Sequence, residues 1–200
     1  MKTIGITGGI GSGKSYVSAL LRQQFGIPVY DCDAEAKRLT ATNEEIREKL
    51  IALVGPEVFK DGELNKPFLA DFLFADIENA SRVNAIIHPV VLKDFKLWAS
   101  KQEDKELVAL ESAILYESGF NAFVDKVLFV DAPEDVRLHR AMLRDTASEA
   151  QIRARMKMQQ PELHRQQADF VIDNSTSDDT RLLVRLTEIV QMIANSKITK

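Results

Sequence analysis

The sequence contains only one cysteine and no long uninterrupted run of apolar residues. With Cys32 alone an intrachain disulfide is impossible, so we expect the protein in a reducing compartment, the cytoplasm. No apolar run approaches the roughly 18 residues that a membrane span needs. Glycines interrupt the segment that follows Lys2, which excludes the pattern of a signal peptide.

An excess of positive charge is also lacking, because 26 lysines and arginines face 30 acidic residues and give a formal net charge of −4. A dominant nucleic-acid surface normally requires a basic excess. We therefore expect no nucleic-acid partner. The 200 residues, 45% of them hydrophobic, fit one globular domain that can carry an inserted segment.

The strongest motif lies within the first fifteen residues. Gly8, Gly13, Lys14 and Ser15 occupy the fixed positions of G-x-x-x-x-G-K-[ST]. The apolar run before it predicts a buried strand, and the spacing of apolar residues after it predicts a helix. Because backbone N–H groups and a helix N-terminus then face one anion, this order suits phosphate binding. We predict a nucleotide-binding protein in which Lys14 reaches the β- and γ-phosphates and Ser15 binds Mg²⁺.

The rest of the chain alternates strand and helix patterns. Short apolar runs predict strands near residues 27–30, 107–110, 126–130 and 169–172. This alternation predicts an α/β fold with a five-stranded parallel sheet and helices on both faces. Residues 34–100 instead show helical patterns, with a tight hairpin at Asp61-Gly62, a helix cap at Asn65 and an interruption at Pro89. We interpret this segment as a helical insertion that covers the site.

Three carboxylates are candidates for chemistry. Asp33 follows the second strand, which we expect beside the strand that precedes the phosphate-binding loop, where it could accept a proton. It could equally cap the helix that begins at Ala34. Glu111 ends the third strand and could hold Mg²⁺ directly or through water, or lie at a solvated strand end. Glu117 could contact a substrate or cap a helix.

The segment from Arg137 to Arg165 is locally basic, with six arginines and one lysine. Arg140 and Arg144 are i,i+4 neighbours on one helix face, so both could point at one phosphate chain. On a mobile segment that closes over ATP they would stabilise the transferred group and exclude water. The alternative is a pair of solvated charged helices. His88 directly precedes Pro89, and for this residue the alternative to a functional role is a purely structural one.

Taken together, these segments resemble the dephospho-coenzyme A kinase family over nearly the whole chain. The P-loop is shared with many kinases, but its combination with five further segments is specific. The matching segments are Thr7–Ser15, Asp31-Cys-Asp33, Ile87-His-Pro89, Ser112–Glu117, Arg137 to Asp145, and Ala168–Asn174.

The resemblance implies transfer of the γ-phosphoryl of ATP to the ribose 3′-hydroxyl of dephospho-CoA, the last step of CoA synthesis, with Mg²⁺. It implies a P-loop kinase core (1–33, 101–136 and 168–200), a CoA-binding insertion (34–100) and a lid (137–167). We expect a monomer or a weak homo-oligomer. The implied catalytic residues are Asp33, Lys14, Arg140 and Arg144. The implied nucleotide contacts are Gly8, Gly11, Ser12, Gly13, Lys14, Ser15, Tyr16 and Asn174, the last near the adenine. His88 and Glu117 would contact the acceptor, and Ser15 and Glu111 the metal.

Three positions depart from the family pattern. Tyr16 stands where the family usually has Thr, which leaves the Mg²⁺ ligand at Ser15. Glu111 and Ala113 replace the usual Asp and Pro, so the role of Glu111 is the least secure. Two other functions stay open: another small-metabolite P-loop kinase, such as a shikimate kinase, and a nucleotide-dependent switch. The chain has no Asn-Lys-x-Asp motif, which counts against a GTP switch.

Overall fold

The computed structural model describes residues 1–176 and 178–196. The chain divides into two compact units, one formed by Met1–Tyr30 with the described part of Gln102–Lys200, the other by Asp31–Lys101. We call them the phosphate-loop unit and the helical unit. Residues 177 and 197–200 of the predicted core lie outside the described part. No helix in the described ranges is long and apolar enough to cross a membrane.

Seven strands and nine α-helices are assigned within residues 1–176 and 178–196. The strands are β1 (Lys2–Thr7), β2 (Val29–Asp31), β3 (Phe59–Lys60), β4 (Glu63–Leu64), β5 (Leu107–Glu111), β6 (Lys126–Asp131) and β7 (Phe170–Asp173). The helices are α1 (Lys14–Phe25), α2 (Cys32–Thr42), α3 (Glu44–Val54), α4 (Lys66–Ala75), α5 (Ile77–Ser100), α6 (Glu134–Arg144), α7 (Glu149–Lys157), α8 (Pro161–Gln167) and α9 (Asp179–Asn195).

The phosphate-loop unit is built on a five-stranded sheet with the order β2-β5-β1-β6-β7. β1 pairs in parallel with β5 and β6, and β6 pairs in parallel with β7. Ile4, Ile6 and Val130 of the sheet lie in one buried apolar cluster with Leu21 of α1 and Leu186 of α9. The predicted five-stranded parallel sheet is confirmed.

The register aligns the carboxyl ends of the strands. Ile6 of β1 pairs with Glu111 of β5, and Thr7 pairs with Phe129 of β6. Asp131 of β6 pairs with Asp173 of β7. Ligands of open α/β sheets bind at this edge, so the fold brings the residues that end β1, β5, β6 and β7 to the binding edge.

One expected adjacency is wrong. We expected the strand that precedes Asp33 to lie beside β1, but β5 lies between β2 and β1. The chain forms the insertion after β2 and then returns as β5, between β2 and the central strand β1. A strand's neighbours depend on such long-range connections, which local patterning does not encode.

The helical unit contains α2 to α5 and a small hairpin. β3 and β4 pair in antiparallel fashion, and the turn residues Asp61 and Gly62 have φ angles of 53° and 86°. Two positive φ angles are typical of a type I′ turn, which favours an Asp-Gly pair. The predicted hairpin is confirmed, and so is the cap of α4, where the Asn65 side chain accepts a hydrogen bond from the Phe68 N–H.

The expected interruption at Pro89 is wrong, because α5 continues through this residue. Proline costs one hydrogen bond inside a helix. Val83, Val90, Val91 and Phe95 are buried on both sides of it. Tertiary packing of such an apolar face outweighs local propensity.

Candidate functional site

The segment 8–15 forms a tight loop between β1 and α1, which we call the P-loop. Gly11 and Gly13 have φ angles of 77° and 93°, a conformation that side chains disfavour. A Cβ atom at Gly11 would lie 2.0 Å from the backbone oxygen of Arg137, and one at Gly13 would lie 2.1 Å from the Asn174 amide nitrogen. Glycine is therefore required here both by backbone conformation and by close packing.

Lys14, the first residue of α1, folds back over this loop. Its ammonium group donates hydrogen bonds to the carbonyl oxygens of Gly8 at 2.9 Å and Gly9 at 3.2 Å. A lysine ammonium is a compact, mobile charge with three donors. The P-loop therefore combines a helix N-terminus with a cation, which is the arrangement that binds phosphate groups.

Ser15 and Glu111 form a pair of oxygen ligands at the sheet edge. The Ser15 hydroxyl donates a 2.9 Å hydrogen bond to a Glu111 carboxylate oxygen, and Glu111 is only 6% exposed. Mg²⁺ prefers oxygen ligands and is commonly held by one or two protein groups plus phosphates and waters. In the described part of the chain no three acidic, histidine or cysteine side chains form a metal cluster. The pair fits a metal that is held jointly by protein and phosphate.

Two side chains from distant segments hold the P-loop backbone. The amide of Asn174, which is buried, donates to the Ser12 carbonyl at 2.8 Å. The side-chain amide oxygen of Gln159 accepts a 2.8 Å hydrogen bond from the Ile10 N–H. Asn174 directly follows β7 and Gln159 follows α7, so two segments fix the loop and reduce the ordering that nucleotide binding requires.

Arg140 and Arg144 of α6 have different partners. Arg140 donates to the Asn174 carbonyl at 2.7 Å, next to the P-loop. Arg144 is largely exposed and pairs with Asp145 at 2.8 Å. Hydrogen bonding between them raises the pKa of Arg144 and lowers the pKa of Asp145. The structure therefore does not bring the two guanidinium groups to one partner, although both are on α6.

Three other arginines of this segment form ion pairs. Arg153 pairs with Glu149 at 2.8 Å, and Arg155 reaches Asp145 at 3.5 Å. For these two arginines the interpretation as solvated charged helices describes the structure. Arg165 of α8 instead pairs at 2.8 Å with Asp131, the last residue of β6.

In the helical unit, the Asp31 side chain caps α2 by accepting a 3.0 Å hydrogen bond from the Ala34 N–H. Asp33 is the second residue of α2 and lies in its first turn. The alternative that Asp33 is the N-cap is thus wrong, because Asp31 has that position. His88 lies within α5, and burial lowers the pKa of its imidazole.

Comparisons with known proteins decide the family. The family model for dephospho-CoA kinase matches residues 2–179. A dephospho-CoA kinase of Bacteroides fragilis is 46% identical over 191 residues, which are 95% of this chain and 92% of that protein. The chain belongs to the dephospho-CoA kinase family. It is therefore an ATP-dependent kinase, as predicted.

Solved structures share the fold of this chain. TT1252 from Thermus thermophilus is 38% identical with a TM-score of 0.82, over 95% of this chain and 96% of that one. A shikimate kinase from Bacteroides thetaiotaomicron has a TM-score of 0.52 at 15% identity, over 96% and 98% of the two chains. The second likeness shows the fold alone, and it confirms the predicted P-loop kinase core.

Several of the predicted site residues make contacts that the sequence motifs do not indicate. The Tyr16 hydroxyl donates to Asp179 at 2.7 Å, which raises the pKa of the phenol. Glu117 lies 3.9 Å from the His164 imidazole. Asn174 holds the Ser12 carbonyl, and its predicted place near the adenine stays a prediction, as do the nucleotide contact of Tyr16 and the acceptor contact of Glu117.

Two P-loop neighbours were absent from the predicted site. Gln159 follows α7 in a stretch without any motif, and its contact with Ile10 spans 149 positions of the chain. Arg137 is buried beside Gly9 and Gly11. In the sequence, Arg137 lies in the basic segment and begins the family segment Arg137 to Asp145, but no role is predicted for it. No local pattern indicates that either residue contacts the P-loop.

Proposed function

We propose that the chain transfers the γ-phosphoryl group of ATP to the ribose 3′-hydroxyl of dephospho-CoA, giving CoA and ADP, with Mg²⁺ held between Ser15 and Glu111. The observation that carries the proposal is the hydrogen-bonded Ser15–Glu111 pair beside the P-loop of a dephospho-CoA kinase family member. The shikimate kinase alternative loses its support, since that likeness extends to the fold alone.

The P-loop residues hold the triphosphate of ATP. Backbone N–H groups within the stretch from Gly11 to Tyr16 bind the phosphate oxygens, and the N-terminus of α1 adds partial positive charge. Lys14 exchanges its hydrogen bonds to the Gly8 and Gly9 carbonyls for the β- and γ-phosphate oxygens. The loop backbone is held by Asn174 and Gln159 before ATP binds, so Lys14 is the group that changes its hydrogen bonds.

Ser15 and Glu111 are the protein ligands for Mg²⁺, with Glu111 acting directly or through a water. Ser15 supplies a hydroxyl oxygen and Glu111 a carboxylate, both of which suit this cation. When bound, Mg²⁺ neutralises charge on the β- and γ-phosphates. Because the Ser15 and Glu111 oxygens are 2.9 Å apart, both could reach one cation.

Asp33 orients and deprotonates the acceptor hydroxyl. A carboxylate in this role accepts the proton as the hydroxyl oxygen bonds to the γ-phosphorus, while the bond to the β–γ bridging oxygen of ATP breaks. Asp31 caps α2, so Asp33 does not serve as the helix cap. His88 contacts the acceptor; because burial lowers the pKa of its imidazole, we assign it the neutral form near pH 7.

Arg140 stabilises negative charge that develops on the transferred group, and Arg144 joins it when its bond to Asp145 opens. Arg140 contacts the Asn174 carbonyl next to the P-loop, which supports a larger contribution from Arg140 than from Arg144. A cytoplasmic location, a monomeric or weakly associated state and the lack of a nucleic-acid partner stay predictions.

The position of the transferred group tests the proposal. ³¹P NMR of the product formed from ATP, Mg²⁺ and dephospho-CoA should show a new phosphomonoester on the ribose 3′-oxygen. The matched acceptor with a 3′-deoxyribose should receive no phosphate. Phosphate on the 2′-oxygen, or transfer to the 3′-deoxy acceptor, would contradict the proposal.

A further inference from the structure

Arg137 is a buried cation with an unsatisfied donor. The residue is 9% exposed on α6, and its Nε donates a 3.0 Å hydrogen bond to the Ala132 carbonyl. Its Nη1 atom is buried and has no hydrogen-bond partner among the residues that the structure describes. Most buried polar groups are hydrogen-bonded, so an unsatisfied guanidinium nitrogen requires an explanation.

The same residue packs directly against the P-loop. A Cβ atom at Gly9 would lie 2.3 Å from Arg137 Nη1, and a Cβ atom at Gly11 would lie 2.0 Å from the Arg137 backbone oxygen. The guanidinium group therefore covers Gly9 and the backbone of α6 covers Gly11. One residue of α6 thus braces the P-loop at two points.

Among the described residues, no carboxylate forms an ion pair with Arg137. Arg144, Arg153 and Arg165 of the same basic segment each pair with an acidic side chain. No ion pair found within residues 1–176 and 178–196 includes Arg137. A guanidinium stays protonated at all physiological pH values, and burying an unpaired charge costs free energy. An anion bound in the P-loop would offset that cost.

We propose that Arg137 is a positioning residue of the nucleotide site. It holds Gly9 and Gly11 in the phosphate-binding conformation, and its buried charge raises the affinity of the P-loop for the triphosphate. It acts through the loop rather than by touching ATP. This inference rests on the proposed binding of ATP phosphates by the P-loop.

Isothermal titration with ATP tests the charge directly. A unit charge about 10 Å from the phosphates at an effective dielectric constant near 20 corresponds to about a tenfold change in affinity. Arg137→Gln should therefore raise the Kd for ATP about tenfold, while Arg137→Lys should retain most of the affinity. The exposed Arg153→Gln is the matched control, because Arg153 pairs with Glu149 away from the P-loop.

The KM for dephospho-CoA should stay unchanged in Arg137→Gln, which separates nucleotide positioning from general damage. An unchanged Kd for ATP with a lower melting temperature would show a merely structural role and overturn the proposal. An Arg137→Lys protein as weak as Arg137→Gln would overturn the role of the charge. If wild-type protein failed to bind ATP, the proposed function would fall first.

Gly9→Ala provides a second test that does not depend on removing the arginine. Its new Cβ would collide with the guanidinium, so we expect weaker ATP binding. Combined with Arg137→Gln, the same alanine should cost clearly less, because the shorter side chain leaves space. Equal costs in both backgrounds would contradict packing of Arg137 on Gly9. Should Arg137→Gln fail to fold, Gly9→Ala in the wild-type and Arg137→Lys backgrounds decides the proposal.

Discussion

The two units of the molecule use polar contacts differently. In the phosphate-loop unit, hydrogen bonds join residues that are far apart in sequence, such as Ser15 with Glu111 and Ser12 with Asn174. In the helical unit many of them are local: Asp31 and Asn43 cap α2 and α3, and Lys49 pairs with Glu45.

This difference indicates which unit can hold several polar groups in fixed relative positions. A site that binds phosphate and metal needs several groups fixed at once, and long-range contacts to a packed sheet supply that rigidity. Local helix caps define where helices begin, but they do not bring several side chains together around one ligand. We therefore place the proposed nucleotide site in the phosphate-loop unit, and only the groups proposed to meet the acceptor, Asp33 and His88, in the helical unit.

The largest expected effect tests whether the helical unit supplies chemistry at all. Asp33→Asn should lower kcat by about 10²- to 10⁴-fold, the usual contribution of a general base. The Kd for ATP should hardly change, because the P-loop lies in the other unit. Steady-state ADP release and isothermal titration measure the two quantities.

Asp31→Asn is the matched control, since asparagine also caps a helix and the neighbouring carboxylate is preserved. It should keep near-wild-type turnover. Near-wild-type turnover in Asp33→Asn, or a larger loss in Asp31→Asn, would remove Asp33 from the base role.

The second-largest expected effect distinguishes the roles of Arg140 and Arg144 in the basic segment. Arg140→Ala should lower kcat/KM for ATP by about a hundredfold, because it removes a donor to developing charge. Arg144→Ala should cost about tenfold less, since Arg144 pairs with Asp145. Parallel kinetics of both variants measure the ratio, with Arg155→Ala as a control. An unchanged rate for Arg140→Ala would make it a surface charge, and a reversed order would contradict the assignment.

Metal dependence tests the long-range Ser15–Glu111 contact. Glu111→Gln keeps the size of the side chain and removes its charge, so the Mg²⁺ concentration for half-maximal rate should rise at least about tenfold. Titrating Mg²⁺ at fixed ATP measures the shift. Glu188→Gln on α9 is the control, because Glu188 is exposed and pairs only with Arg185 in the described structure. An identical Mg²⁺ dependence in Glu111→Gln would exclude Glu111 from the metal site.

The smallest effect is confined to the helical unit. Asn43→Ala removes the side chain that caps α3 and should lower the free energy of unfolding by about 1 kcal/mol. The Kd for ATP should stay constant, and Asn43→Asp should restore stability. Chemical denaturation together with ATP titration measures both. A changed ATP affinity would contradict the division of roles between the two units.

The sequence predicts much of the fold because local chemistry determines it. The P-loop glycines, the Asp61-Gly62 turn and the Asn65 cap each have a conformational requirement that few residues satisfy. Pro89 also restricts the backbone, but the helix interruption predicted from it is wrong, because burial along α5 outweighs one lost hydrogen bond.

The site is less predictable because its contacts cross the chain. The pattern identifies Lys14, Ser15 and Glu111 as candidates, yet only the fold shows the Ser15–Glu111 hydrogen bond. The brace from Gln159 and the burial of Arg137 depend on how α6 and α7 pack against the P-loop. Neither residue has a local environment in the sequence that indicates such a role.

The central claim is that phosphoryl transfer requires dephospho-CoA as the acceptor. The most direct measurement is ADP release from ATP and Mg²⁺ with dephospho-CoA, AMP, shikimate or no acceptor in separate reactions. The account predicts turnover only with dephospho-CoA, with CoA as the product. Equal ATP consumption in every reaction, or turnover confined to another acceptor, would contradict it.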